Sequence, residues 1–71
     1  MSEYLVIFEP TLTGWSAYVS DLPGWIATGR TRDGAREQIR EAVDFHIEGL
    51  REAGQRVPRP SSVADVVQVA G

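Results

Sequence analysis

The sequence predicts an α+β domain with the element order β-β-β-α-β. Three short runs rich in β-branched and aromatic residues precede residue 30, and an apolar pattern with a period near 3.6 residues follows it. A valine-rich run then lies close to the C-terminus. We therefore expect a four-stranded, mainly antiparallel sheet with one long helix packed on one face, in a single domain over residues 1–71.

The first two strands are predicted over residues 4–8 and 15–19, which are dominated by β-branched and aromatic side chains. Pro10 ends the first run, and the turn-prone residues 11–14 connect the two as a hairpin. Side chains alternate between the faces of a strand. Strand one therefore directs apolar groups to both faces, with Tyr4, Val6 and Phe8 on one and Leu5 and Ile7 on the other.

A turn motif, Asp21-Leu22-Pro23-Gly24, follows strand two and leads into a third strand over residues 25–29. Pro23 fixes its own φ near −65°, and Gly24 tolerates positive φ, so the motif suits a tight turn. We expect the Asp21 carboxylate to accept hydrogen bonds from free N–H groups within this turn.

The helix is predicted to begin after Thr31, whose hydroxyl can cap the first turn, and to end at Gly54 as a left-handed cap. Gly49 lies near the apolar stripe and is expected to allow close approach to the sheet. The prolines after residue 56 favour extended backbone, and Val63 to Val69 is predicted as the fourth strand. The apolar stripe comprises Ala35, Ile39, Ala42, Val43, His46, Leu50 and Ala53.

One helix can cover only one face of such a sheet, so the other face keeps apolar groups exposed. Large apolar patches usually mark interaction sites. We therefore expect a homo-oligomer or a protein partner, with aromatic and apolar anchors at the interface. Phe45 lies well off the stripe and has two open interpretations, packing over a sheet edge or an interface contact. The candidate interface residues are Tyr4, Val6, Phe8, Trp15, Tyr18, Trp25 and Phe45.

Length, composition and charge argue against several classes of protein. A chain of 71 residues without cysteine has neither disulfides nor thiolate metal ligands, and a core of this size rarely supplies more than ~3–5 kcal/mol. No apolar run is long enough to span a membrane, and no signal-peptide pattern precedes the first strand. We expect a soluble, cytoplasmic protein. The net charge of −3 makes direct DNA binding an unfavourable hypothesis.

No catalytic, cofactor-binding or metal-binding residue is predicted. His46 lies on the apolar stripe, which favours a core histidine over a general base. Glu9, Asp21 and Asp65 are candidate acidic metal ligands, but nothing in their spacing brings them together. We therefore expect solvated or capping carboxylates and no cofactor.

The chain resembles HicB-like antitoxins over nearly its whole length, in residues 4–10, 15–19, 21–24, Thr31 with its helix, 41–50 and 57–62. The resemblance implies a truncated ribonuclease-H-like fold, usually oligomeric, and a non-catalytic role in binding a small HicA-type toxin that cleaves messenger RNA. Trp25 stands where many members carry cysteine. Many members also append a DNA-binding domain, and we expect no C-terminal DNA-binding domain here. The alternatives are an orphan oligomeric binding or structural domain without a toxin, and a metal-dependent nuclease.

Overall fold

Three antiparallel strands and one helix form the folded part of the computed structural model, which describes residues 3–22 and 24–71. Strand β1 covers Val6–Pro10, β2 covers Trp15–Val19 and β3 covers Ile26–Gly29. Helix α1 covers Arg32–Glu52. The sheet has the order β1-β2-β3, so that β1 and β3 are its edges. The predicted hairpin, third strand and helix are confirmed, and the chain is α+β.

The strand registers follow from the hairpin and the β2–β3 connection. Val6 lies opposite Val19 and Pro10 opposite Trp15, while Trp15 also lies opposite Gly29. The Thr11 N–H donates to the Gly14 carbonyl at 2.8 Å and closes the hairpin turn. These pairings set which side chains share a face.

Both ends of α1 carry the predicted caps. The Gly34 N–H donates to the Thr31 hydroxyl at 2.9 Å. At the other end Gly54 takes a φ of 71°, and the Gln55 N–H donates to the Leu50 carbonyl at 2.8 Å. This is a Schellman arrangement, which satisfies carbonyls that the helix leaves free. Among residues 3–22 and 24–71, no helix is long and apolar enough to cross a membrane.

The core lies between α1 and the inner face of the sheet. Its two largest fully buried side chains are Leu22 and Ile39, joined by the smaller Ala17, Val19 and Ala35. Half-buried apolar residues pack around them: Tyr4, Val6, Phe8, Trp15, Trp25, Ala27 and Val43. The helix therefore covers the face that carries Ala17 and Val19.

The predicted fourth strand, Val63 to Val69, is wrong for this structure. Residues 55–71 contain neither strand nor helix, and the four valines of this run are 79 to 91% exposed. The run has the composition of a strand, but a strand needs a neighbour to accept its backbone hydrogen bonds. Within residues 3–22 and 24–71 the segment pairs with no strand. The four-stranded sheet is thus corrected to three strands, and the ribonuclease-H-like fold stays a prediction.

Candidate partner-binding face

An apolar row crosses the outer face of the sheet, the face turned away from α1. Ile7 lies opposite Tyr18, and Tyr18 lies opposite Ile26. Their neighbours Ala17 and Val19 point inward and are buried, so alternation places these three side chains outward. Leu5 lies on the same face, because it is two residues before Ile7 in the chain. Its carbonyl accepts a hydrogen bond from the Ser20 N–H, which continues the pairing of β1 with β2. We call Leu5, Ile7, Tyr18 and Ile26 the outer row.

A polar row lies beside the outer row. Glu9 is opposite Ser16, and Ser16 is opposite Thr28. A shallow depression spans both rows and is lined by Glu9, Tyr18 and Ile26 among others. Ile26 is 70% exposed, which is high for a large apolar side chain in a strand. The face therefore combines apolar anchors with hydroxyls and one carboxylate.

The seven interface residues expected from the sequence divide between two environments. Tyr18 is on the outer row and Phe45 on α1 is 75% exposed, which excludes packing over a sheet edge for Phe45. The other five pack against the buried core: Tyr4, Val6, Phe8, Trp15 and Trp25. A partner-binding role for these residues stays a prediction.

Sequence reasoning missed Ile7 and Ile26 as site residues. Strand alternation placed Ile7 on the second face, but only the cross-strand register aligns it with Tyr18 and Ile26. The lengths of the β1–β2 and β2–β3 connections carried information on this register, because turn type and loop length set the pairing of adjacent antiparallel strands. The aligned row is what makes the face a candidate site.

Trp25, the residue that departs from the family pattern, packs against His46. Their ring centroids are 4.8 Å apart with the planes tilted by 47°. This geometry lies in the range of favourable aromatic pairs. The histidine is half-buried on α1, and its ring contributes to packing through this contact.

The Asp21 carboxylate fastens the C-terminal segment to the sheet. It accepts from the backbone N–H of Ser61 at 2.9 Å and of Ser62 at 3.1 Å. Both hydroxyls add bonds, at 3.2 Å from Ser61 and 2.7 Å from Ser62. We call these four bonds the Asp21 clasp. The expected capping of its own turn is thus corrected to capping of a segment 40 residues away.

The rest of the turn motif has separate roles. Leu22 is buried in the core, and Gly24 has a φ of 90°, the left-handed conformation expected of it. Pro23 lies outside the described residues. The Leu22 N–H donates to the Val19 carbonyl at 3.3 Å, which turns the chain at the end of β2.

The Asp21 clasp is expected to make the stability of the protein depend on pH. The Ser61 N–H first, then the Ser62 N–H and hydroxyl, lower the pKa of Asp21 from 3.8 to about 2. Because the folded pKa is depressed, the clasp's stabilisation is fully present above pH 3.8 and is lost as the pH falls through about 2. In an acid titration followed by NMR, the Asp21 side chain should titrate near pH 2, and the Ser61 and Ser62 amides should shift with it.

A titration midpoint of Asp21 at or above its ordinary pKa of 3.8 would contradict the clasp. Amide shifts at Ser61 and Ser62 that follow a different midpoint from the carboxylate would contradict it as well.

The candidate acidic ligands do not converge. Glu9 lies on the outer face near the hairpin turn, whereas Asp21 lies at the opposite end of the sheet. Asp65 lies in the exposed C-terminal segment and accepts from its neighbour, the Val66 N–H, at 2.7 Å. Within residues 3–22 and 24–71 no three potential ligands cluster at a possible metal site.

Comparison with known proteins identifies the family. The model of the HicB-like antitoxins of bacterial toxin–antitoxin systems matches residues 4–70, nearly the entire chain. The chain belongs to the HicB-like antitoxin family. This membership confirms the resemblance and places the chain in a family of bacterial toxin–antitoxin systems.

The chain is also similar to an uncharacterized 14.9 kDa protein of the rep-hol intergenic region of Haemophilus phage HP1 (strain HP1c1). The two are 30% identical over 64 residues, which cover 90% of this chain and 48% of the relative. The HicB-like chain therefore spans about half the length of that relative. No solved structure matches it at a significant level.

Proposed function

We propose that this protein is an antitoxin that binds a small HicA-type, messenger-RNA-cleaving toxin and blocks its active site without catalysing a reaction itself. The observation that carries this proposal is the outer row, an aligned apolar strip on the face turned away from α1, in a chain of an antitoxin family. Ile26 is exposed in this row, and its other three members are half-buried. The proposal assigns the protein to the cytoplasm, where its target's substrate is found, and assigns it no direct contact with DNA.

The outer row has the chemistry of a protein-binding site. Tyr18 provides an apolar ring with a polar hydroxyl, a combination enriched at interface hot spots. Ile7 and Ile26 flank it on the two edge strands, so that the three form a continuous strip across the sheet. A toxin surface docked there removes apolar area from water, and the neighbouring Ser16 and Thr28 hydroxyls supply hydrogen bonds at the rim.

Charge favours the same partner. A ribonuclease must attract the phosphates of RNA and is expected to carry a basic surface. The antitoxin has a net charge of −3, and Glu9 places a carboxylate beside the outer row. Complementary charge speeds association and orients the two proteins, whereas it disfavours RNA binding by the antitoxin itself.

The substitution Ile26→Glu is expected to weaken toxin binding at least about 30-fold, equal to roughly 2 kcal/mol, because it puts a charge into an apolar contact. Ile26 is 70% exposed, so the fold of the free protein should be unaffected. The measurement is calorimetric titration with the short basic protein encoded beside the antitoxin gene, together with rescue of growth when both are expressed.

Leu12→Glu is the matched control, since Leu12 is fully exposed in the β1–β2 turn and lies away from the outer row. Equal affinity of Ile26→Glu and the wild type would reject the outer row as the docking face. If the wild type neither binds that neighbour nor rescues growth, inhibition of its toxin is rejected and the orphan oligomer becomes the better hypothesis.

A further inference from the structure

The C-terminal segment, residues 63–69, is a strand-like sequence without a partner. Val63, Val67 and Val69 alternate to one side, and Val66 lies on the other between Ala64 and Gln68. All of these residues are exposed, and the valines are 79 to 91% exposed. A run that is apolar on both sides is typical of a strand buried within a sheet, and leaving it in water is costly.

Two contacts decide where this segment leaves the domain. The Tyr4 hydroxyl donates to the Pro58 carbonyl, which holds the chain at the start of β1. The Asp21 clasp then holds Ser61 and Ser62 next to the end of β2. The segment therefore leaves the domain near the end of the central strand β2 rather than beside the β1 edge. It pairs with no strand in the described part of its own chain.

The β1 edge has the complementary features. Leu5 and Ile7 pair with β2, so the alternate residues Val6 and Phe8 direct their backbone groups away from the sheet. Beside this edge lies a cleft between β1 and α1, with apolar side chains from both elements: Val6, Phe8, Ile39 and Val43. An open strand edge next to an apolar cleft is a template for one further strand.

We propose that residues 63–69 of each copy add as a strand to the β1 edge of a second copy, so that two chains exchange their C-terminal segments. At ~3.3 Å per residue, seven residues extend far enough to pair along all of β1, which has five. Val63, Val67 and Val69, which share one side of the segment, enter the apolar cleft. The free backbone groups of β1 gain hydrogen-bond partners. The reciprocal exchange makes a closed two-fold dimer in which both C-terminal segments are paired.

The charged side chains that line the cleft are complementary to residues 63–69. Arg36 and Arg40 line it from α1, with Glu3 and Asp44 as the acidic members. Arg40 pairs with Glu37 at 3.7 Å, whereas Arg36 has no ion-pair partner in the described parts of the chain. Asp65, the one charged residue of the C-terminal segment, supplies a carboxylate on the side that also carries Val63 and Val67.

Light scattering and NMR measurement of amide hydrogen exchange, both on the full chain, test whether two copies swap their C-terminal segments. The wild type should be a dimer, and Val67→Asp should raise its dissociation constant at least about 100-fold, since the change buries an unpaired charge. Leu12→Asp, an equal change at a fully exposed leucine, should remain dimeric. The amide of Phe8 and alternate amides among residues 64–69 should be protected in the dimer and should exchange freely in Val67→Asp.

Val67 is 79% exposed in the protomer, so its replacement should leave the core resonances unchanged and loss of the dimer would not reflect unfolding. A monomeric wild type at millimolar concentration overturns the proposal. A dimer that survives Val67→Asp, or a dimer in which residues 64–69 stay unprotected, overturns it too. Protection of the segment in a monomer assigns it to the β1 edge of its own chain. None of these readouts involves a toxin, so this test and that of the proposed function fail separately.

Discussion

The substitution Ile39→Ala is expected to leave most of the protein unfolded in the absence of a partner. Ile39 is 2% exposed and packs in the core cluster with Val19 and Leu22. Deleting a buried isoleucine side chain down to alanine costs about 2–5 kcal/mol, while a core of this size supplies roughly 3–5 kcal/mol in total. Circular dichroism during urea unfolding, at one fixed protein concentration, measures the loss.

Ile26→Ala is the matched control, because it removes the same atoms from the opposite face of the sheet. Ile26 is 70% exposed, so the free energy of unfolding should change by less than about 0.5 kcal/mol. Similar losses for the two variants would contradict the assignment of an inner, covered face and an outer, uncovered face.

The second large effect is expected from Gly29→Ala. A Cβ atom built on Gly29 lies 2.7 Å from the Gly34 carbonyl carbon and 2.9 Å from the Ala35 Cα, both in the backbone of the first turn of α1. Backbone atoms cannot rotate aside as a side chain can, so β3 and α1 must separate. Overpacking of this kind costs about 1–3 kcal/mol. A fall in the midpoint of urea unfolding, with the slope unchanged, is the expected measurement.

Gly49→Ala makes the same chemical change in the exposed part of α1 and should have the opposite sign. A Cβ at Gly49 meets no atom within 4 Å, and alanine is favoured over glycine in a helix by about 0.8–1 kcal/mol. The expected close approach of Gly49 to the sheet is therefore wrong, and Gly29 makes that approach instead. If Gly29→Ala were as stable as Gly49→Ala, the close contact between β3 and α1 would be rejected.

Local signals in the sequence determined most of the secondary structure. The β-branched runs gave the three strands to within two residues, and the Thr31 and Gly54 caps gave the helix its limits. These signals act through neighbouring residues, because a cap or a turn is satisfied within a few positions along the chain. The family resemblance also depends on the order of such local motifs, and the match to the family model confirms it.

The partners of distant residues depended on the tertiary structure. From local signals alone, the Asp21 carboxylate was expected to cap its own turn. The fold instead brings the backbone nitrogens of Ser61 and Ser62 within 3.1 Å of that carboxylate. The outer row arose likewise, since it requires the register of two strand pairs and the choice of face by α1.

By itself, then, the sequence determined the α+β class, the helix with its caps, and the strand-forming composition of residues 63–69. Only the tertiary structure shows that those last residues pair with no strand among the residues it describes. The physical reason is that the tendency to be a strand is local, whereas a strand exists only where another backbone accepts its hydrogen bonds.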